Sequence, residues 1–255
     1  YKNFYRFADK YVEKIQKKIN GFMINDYSKG KMDIVNKLSQ HTITYSQKQA
    51  GFTSTIKERV LRVPIDSAIH DYAKTLKDDR VLELDDDNVV LADTPVKLMG
   101  KLHQLYSGTV KFEDGTSTVL DHSKAIFIKN HFKDKKIGIF YKFKEELNAL
   151  KDVFKDKITT DLEEFKTTDK SIALQIVSGR EGISLKEAKY LVYYNIDFSA
   201  TSYWQSRDRM TTKERLENEI FWIFSKDGIE DKIYAAVSKK KNYTLNHFRR
   251  DCVNL

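Results

Sequence analysis

The sequence predicts an α/β protein, a parallel sheet flanked by helices, preceded by a mainly helical N-terminal segment. Three observations carry this. From Ser123 onward, short apolar runs of strand length alternate with helical patterns, the rhythm of parallel strands covered on both faces. Only two prolines and ten glycines occur in 255 residues, so regular elements are rarely interrupted. A content of 40% hydrophobic and 12% aromatic residues, against 32% charged, belongs to a chain that buries a core rather than a disordered one.

In chain order, Phe4, Phe7, Tyr11 and Ile15 recur at three- or four-residue steps and predict an amphipathic helix from Tyr1 to about Asn20. Lys31 to Leu38 reads as a shorter helix and Thr42 to Tyr45 as a strand. Val60 to Ile65 is a strand, after which Asp66 or Ser67 caps a helix carrying Ile69, Tyr72, Ala73 and Leu76. Asp85-Asp86-Asp87 reads as a solvated turn. Pro95 opens a helix that Gly108 closes, and residues 109–120 form a hairpin around Asp114-Gly115, set on the main sheet.

Then follow a helix from Ser123 to Phe132, a strand Ile137–Tyr141, a helix Glu145–Phe154, a strand Ile172–Val177, a helix near Lys186-Glu187-Ala188 and a strand Tyr190–Tyr194. Glu219 to Phe224 is one more strand, and a helix begins near Gly228. These elements divide the chain into a helical segment over 1–57, an α/β domain over 58–236 and a basic tail over 237–255 with Lys239-Lys240-Lys241 and Arg249-Arg250.

A net charge of +8 favours a polyanionic partner, most often nucleic acid. The single cysteine, Cys252, excludes an intrachain disulfide and a cysteine zinc cluster, and the six histidines lack metal-ligand spacing. No apolar run approaches the ~18 residues of a membrane span, and no signal peptide opens the chain. The expectation is no membrane partner and a cytoplasmic location.

In parallel α/β sheets ligands sit beyond the carboxyl ends of the strands. Three loops are distinctive there. Tyr141-Lys142-Phe143-Lys144 interleaves aromatic and basic residues, with Tyr141 and Phe143 read either as core or as part of a nucleic-acid surface, whereas Phe140 is core. Ser178-Gly179-Arg180-Glu181-Gly182 sets two glycines within the span in which backbone amides approach a phosphate, or in which a strand turns tightly. Gln205, Arg207 and Arg209 concentrate an amide and two guanidinium forks suited to phosphoryl oxygens, or to a salt-bridge network with Asp208.

Taken in this order, the segments resemble the C-terminal half of a superfamily-two helicase motor, and more closely the Swi/Snf-type DNA translocases. Ile137 to Phe143 resembles the fourth motif of that family, Ser178 to Ala188 the fifth, and Tyr193-Tyr194-Asn195 through Arg209 the approach and start of the sixth. The resemblance covers 123–233 well and reaches back more weakly to Arg59, and its texture is that of phage helicases, which would put the protein in the host cytoplasm.

The resemblance implies a second RecA-like domain that works with a first one, with ATP and Mg2+ in the cleft between them and DNA across both. It implies that Arg209 is an arginine finger for the γ-phosphate and that Gln205 is the leading glutamine of its motif. It sets Gly182 and Ser184 near the nucleotide ribose and Tyr141, Lys142, Ser178, Gly179 and Arg180 on the nucleic-acid side. One position departs: the second arginine of the sixth motif corresponds to Thr212, leaving Lys213, Arg215 or Arg207 as substitutes.

No Gly-x-x-x-x-Gly-Lys-Ser/Thr loop and no apolar strand ending in Asp-Glu occurs, so this chain is expected not to hydrolyse ATP alone. Two other readings stand beside the motor domain: a non-catalytic nucleic-acid-binding module that retains the motor fold, and a self-sufficient enzyme binding a nucleotide or phosphosugar at 178–182.

Overall fold

A computed structural model describes residues 1–252 except 20, 44–47, 85–87, 180 and 181. The chain divides into two compact units, Tyr1–Gly51 and Phe52–Leu255.

The first unit corrects the expectation of a mainly helical segment. Helix α1 (Phe4–Tyr11) starts where Asn3 accepts a hydrogen bond from the Arg6 backbone N–H (3.0 Å), but it ends at Tyr11. The chain then enters an antiparallel pair, β1 (Val12–Ile19) and β2 (Phe22–Gly30), whose backbone register runs from Val12 opposite Gly30 to Ile19 opposite Phe22. The sequence signal for it is Asn20-Gly21, a dipeptide suited to tight hairpin turns, and Gly21 has a φ of 84°. The helical spacing that continues to Ile15 is outweighed by that turn. Helix α2 (Met32–Ser39) completes the unit, and the strand expected at Thr42–Tyr45 falls partly outside the described residues.

The second unit is built on a six-stranded sheet in which every neighbouring pair is parallel. Its strands are β3 (Thr55–Val63), β8 (Ile137–Tyr141), β9 (Ile158–Thr159), β10 (Ser171–Gln175), β11 (Tyr190–Tyr193) and β12 (Glu217–Ser225), arranged β3-β12-β11-β8-β10-β9. Two short ribbons stand apart from it: β4 (Val81–Glu83) with β5 (Val89–Leu91), and β6 (Thr109–Lys111) with β7 (Ser117–Val119). The expected hairpin at 109–120 therefore forms, but as a separate ribbon rather than as part of the main sheet, joined to the domain through the Ser117 hydroxyl on Glu145 (2.7 Å).

Strand periodicity sorts the core into two faces. Ile220, Trp222, Phe224, Leu191, Tyr193 and Phe140 pack on one side with α3 (Ser67–Asp79) and α4 (Pro95–Tyr106). Phe221, Ile223, Val192, Ile137 and Ile139 pack on the other with α5 (Ser123–His131) and α6 (Lys144–Phe154). Burial on both faces explains why these strands read as continuous apolar runs. Asp66 caps α3 by accepting from the Ala68 N–H (2.9 Å), and Thr94 caps α4 with Pro95 in its first turn.

Past α6, α7 (Leu162–Thr167) precedes β10, whose expected extent to Val177 is cut at Gln175 by the short helix α8 (Ile176–Gly179). The helix expected near Lys186 is replaced by turns, with Leu185 and Ala188 both buried in the core, 1% exposed each. The crowded point is Gly138 of β8: a Cβ there would lie 3.0 Å from Leu185 Cδ1.

Helix α9 (Ala200–Ser206) runs into a 3-10 turn over Arg207–Met210, and α10 (Glu230–Val237) follows β12. The basic tail is likewise corrected. Residues Leu245–Cys252 form α11, Phe248 is fully buried, and the Tyr243 N–H donates to the Phe198 carbonyl (2.8 Å). Two aromatic anchors among the basic residues give this segment an apolar stripe to bury. Among the described residues, no helix is long and apolar enough to cross a membrane.

Candidate functional site

Because the six strands run the same way, their carboxyl ends share one edge, where the loops after β8, β10 and β11 meet. Two clusters form from the residues singled out by sequence.

The first joins the loop at 182–185 to the turn at 207–210. The Leu185 N–H donates to the Arg209 carbonyl (2.7 Å), while the Arg209 guanidinium donates from Nη1 to the Ile183 carbonyl (3.3 Å) and from Nε to the Gln205 carbonyl (3.1 Å). Arg209 thus lies beside Gly182 and Ser184, which flank Ile183. It is half-buried, and among the described residues no carboxylate pairs with it. Two carbonyls fix the direction of the guanidinium. Gly182 has a φ of 68° with open space where a Cβ would stand, and Ser184 and Gln205 are exposed.

The second cluster joins the loops after β8 and β10. Gln175, at the end of β10, donates through Nε2 to the Lys142 carbonyl (3.2 Å) and accepts the Ser178 hydroxyl on its own carbonyl (3.2 Å). Lys142 and Ser178 are therefore brought together by a residue that sequence reasoning missed. Gly179 ends α8, and Arg180 lies outside the described residues. Helix α8 packs against α9, so the two clusters adjoin. Tyr141 is half-buried against the α5–α6 face of the core, and burial pushes its hydroxyl above the usual tyrosine range.

Lys142 is not a free cation. It pairs with Asp197 of the loop after β11 and lies 4.4 Å from the Phe198 ring centre. Asp197 also accepts the Ser202 hydroxyl (2.7 Å) and the Phe198 N–H (2.9 Å). Burial pushes its carboxyl up, but the charge and hydrogen bond of Lys142, with those two donors, outweigh burial and hold it below the ordinary value.

Beneath this pair lies a buried polar chain. Asn195 accepts from His103 Nε2 (2.6 Å) and donates to Glu146, which in turn accepts the backbone N–H groups of Lys142 (2.6 Å) and Phe143 (3.1 Å). Burial drives His103 well below the ordinary histidine range, helped by the charge of Lys142, so the ring is neutral. Burial drives Glu146 the other way, upward, against the hydrogen bonds from Asn195 and Lys142.

The candidates for the absent second arginine are distributed unequally. Arg207 forms an ion pair with Glu58 of β3 and lies over the rings of Tyr203 (5.0 Å) and Trp204 (4.6 Å). Glu58 further accepts from the Tyr203 hydroxyl (2.9 Å), Trp222 Nε1 (2.8 Å) and the Tyr234 hydroxyl (3.3 Å). Arg215 donates to the carbonyls of Ala188 (2.9 Å) and Lys189 (3.0 Å), and desolvation lowers its pKa. Both arginines serve the fold. Lys213 is exposed, 6.0 Å from the Phe52 ring centre, and Thr212 is half-buried.

No protein-family model matches the chain, and no curated protein matches it. Solved structures do. The C-terminal part of the Fun30 ATPase domain is similar at a TM-score of 0.50 and 15% identity, over 77% of this chain and 92% of that one. The SWI2/SNF2 ATPase core domain of Sulfolobus solfataricus is similar at a TM-score of 0.50 and 13% identity, over 82% of this chain but only 47% of the core. The second unit thus has the RecA-like fold of the C-terminal domain of Swi2/Snf2 ATPases, as the motif order in the sequence implies.

Proposed function

We propose that this chain is the second motor domain of an ATP-dependent DNA helicase or translocase, working with a first RecA-like domain that grips the nucleotide. The observation that carries this reading is Arg209: a guanidinium oriented by two carbonyls, unpaired with any described carboxylate, and set beside Gly182 and Ser184 at the carboxyl edge of the sheet. The open glycine and exposed serine suit the ribose side of a nucleotide whose γ-phosphate Arg209 faces. In this reading ATP and Mg2+ are held mainly by the other domain, and bound ATP supplies the phosphoryl group whose transfer drives the motor.

Arg209 would place positive charge where negative charge develops on the transferred group, and Gln205 fixes Arg209 through its carbonyl. Tyr141, Lys142, Ser178, Gly179 and Arg180 form the side toward DNA. Lys142 would there exchange Asp197 for a phosphate, giving contacts that fall on the backbone and weaken with salt.

A second reading, a nucleic-acid-binding module without catalysis, is favoured by one observation: Thr212 stands where a second arginine is expected, and Arg207 and Arg215 are committed to Glu58 and to backbone carbonyls. ATP hydrolysis measured with and without DNA separates the two. The chain alone is expected to be inactive, and joined to a first motor domain it should show DNA-stimulated turnover that Arg209→Ala lowers by about 10³-fold or more. Turnover by the chain alone contradicts the division of labour. An unchanged rate in Arg209→Ala selects the binding module.

A further inference from the structure

At the opposite edge of the sheet from Arg209, where β8, β9 and β10 begin, the second unit holds a cavity of about 640 Å³. That is within the ~300–1,000 Å³ of small-ligand sites. The chain rounds it through positive-φ residues, Asp134 (φ 60°) and Lys155 (φ 56°), and two buried rings, Phe132 and Phe154, line it.

Its charge is uneven, with six lysines against the aspartates Asp134, Asp156 and Asp169. Three of the lysines are committed to the fold. Lys129 donates to the Val153 carbonyl at the end of α6 (2.6 Å), Lys136 to the Phe165 and Thr168 carbonyls at the end of α7, and Lys170 pairs with Glu164 (2.6 Å). Those contacts answer the carbonyl ends of two helices. Lys133, Lys135 and Lys157 remain, exposed and without an ion-pair partner among the described residues, although three carboxylates line the same cavity.

We propose that this cavity binds a small, multiply charged phosphate group, with Lys133, Lys135 and Lys157 as its donors. The lining as a whole carries more lysines than aspartates, and a phosphate group offers several charge-assisted acceptors at once. A hollow of this size takes a group of nucleotide dimensions or smaller, not the flank of a duplex. The group is either a free phosphate compound or the terminal phosphate of a strand. The proposal does not rest on the motor reading, since it uses none of the residues assigned there.

The test is calorimetric titration of the 255-residue chain with tripolyphosphate, then with short single strands with and without a 5′ phosphate. Saturable tripolyphosphate binding is expected, weakened about tenfold or more by the combined Lys133→Ala, Lys135→Ala and Lys157→Ala changes and tightened by Asp156→Asn. A preference for the 5′-phosphorylated strand assigns the site to a strand end; equal strand binding assigns it to the free compound. The proposal is overturned by an absence of saturable binding or by unchanged affinity in the triple variant.

Discussion

Glu58 and Arg207 form an ion pair between the outer strand β3 and the turn that carries Arg209, with the side chains only 14% and 12% exposed. The carboxylate takes three further donors, from Tyr203, Trp222 and Tyr234, and Trp222 stacks on Tyr193 at 3.8 Å. One acidic side chain therefore ties β3, α9, β12 and α10 around an aromatic stack, and the position of Arg209 depends on it.

The two members of this pair are not equivalent. Glu58→Ala strands a largely buried guanidinium and three polar donors, and should cost about 3–5 kcal/mol. Arg207→Ala leaves Glu58 with three neutral donors and should cost less, about 1–3 kcal/mol. Urea unfolding of both single variants and the double variant measures this, and the double variant should cost less than the sum of the two. Additive losses would show that the pair is not coupled.

Arg215 belongs to the fold rather than to catalysis. Arg215→Ala removes the donor to the carbonyls of Ala188 and Lys189, and should lower stability by about 1–3 kcal/mol while leaving ATP hydrolysis in a two-domain assembly within a few-fold of the parent. A selective collapse of turnover with unchanged stability would instead make Arg215 the missing second arginine.

His103 gives a pH dependence whose sign follows from burial. Its folded pKa lies below the unfolded value near ~6.5, so below that pH the unfolded chain binds the extra proton. The stability associated with a neutral His103 is full above the unfolded pKa and falls as pH drops, by at most about 1.4 kcal/mol per pH unit. Glu146 acts in the opposite sense, because its raised pKa makes the folded chain bind its proton first as pH falls. His103→Gln isolates the histidine: between pH 7 and 5 its unfolding midpoint should decline less than the parent's. An equal decline would contradict a neutral, buried ring.

Gly138→Ala tests how the 182–185 loop is seated. The new Cβ would meet Leu185 Cδ1 at 3.0 Å and Leu191 Cδ1 at 3.4 Å in a packed core, at a cost of about 1–3 kcal/mol. Leu185 also donates its N–H to the Arg209 carbonyl, so hydrogen exchange at Leu185 should speed up with the loss of stability. Protection at Leu185 equal to the parent's would mean that the side chain moves without its backbone.

What the sequence made readable was the sheet. Strands β8, β11 and β12 are buried on both faces, and their apolar runs stand out between helices of ordinary period. The motif order then drew attention to Arg209 and Gly182, which the fold does bring to one edge, joined through Ile183. Glu58 was illegible because its partners lie 145 to 176 residues away in the chain and are set by the pairing of β3 with β12. The two residues of β9 are too few for any periodicity to register. At the N-terminus a helical spacing and a turn dipeptide competed, and the turn prevailed.

The parallel order also leaves β3 as an outermost strand, nine residues long and paired on one side by β12 within the sheet. A strand so placed is a template for a second copy of itself. Along it Lys57, Arg59 and Arg62 are exposed, each matched to an acidic side chain of its own domain. Another strand could pair there only by desolvating or displacing these ion pairs, so the three residues double as guards against self-association. Stripping them would leave the fold intact and make the protein prone to aggregate.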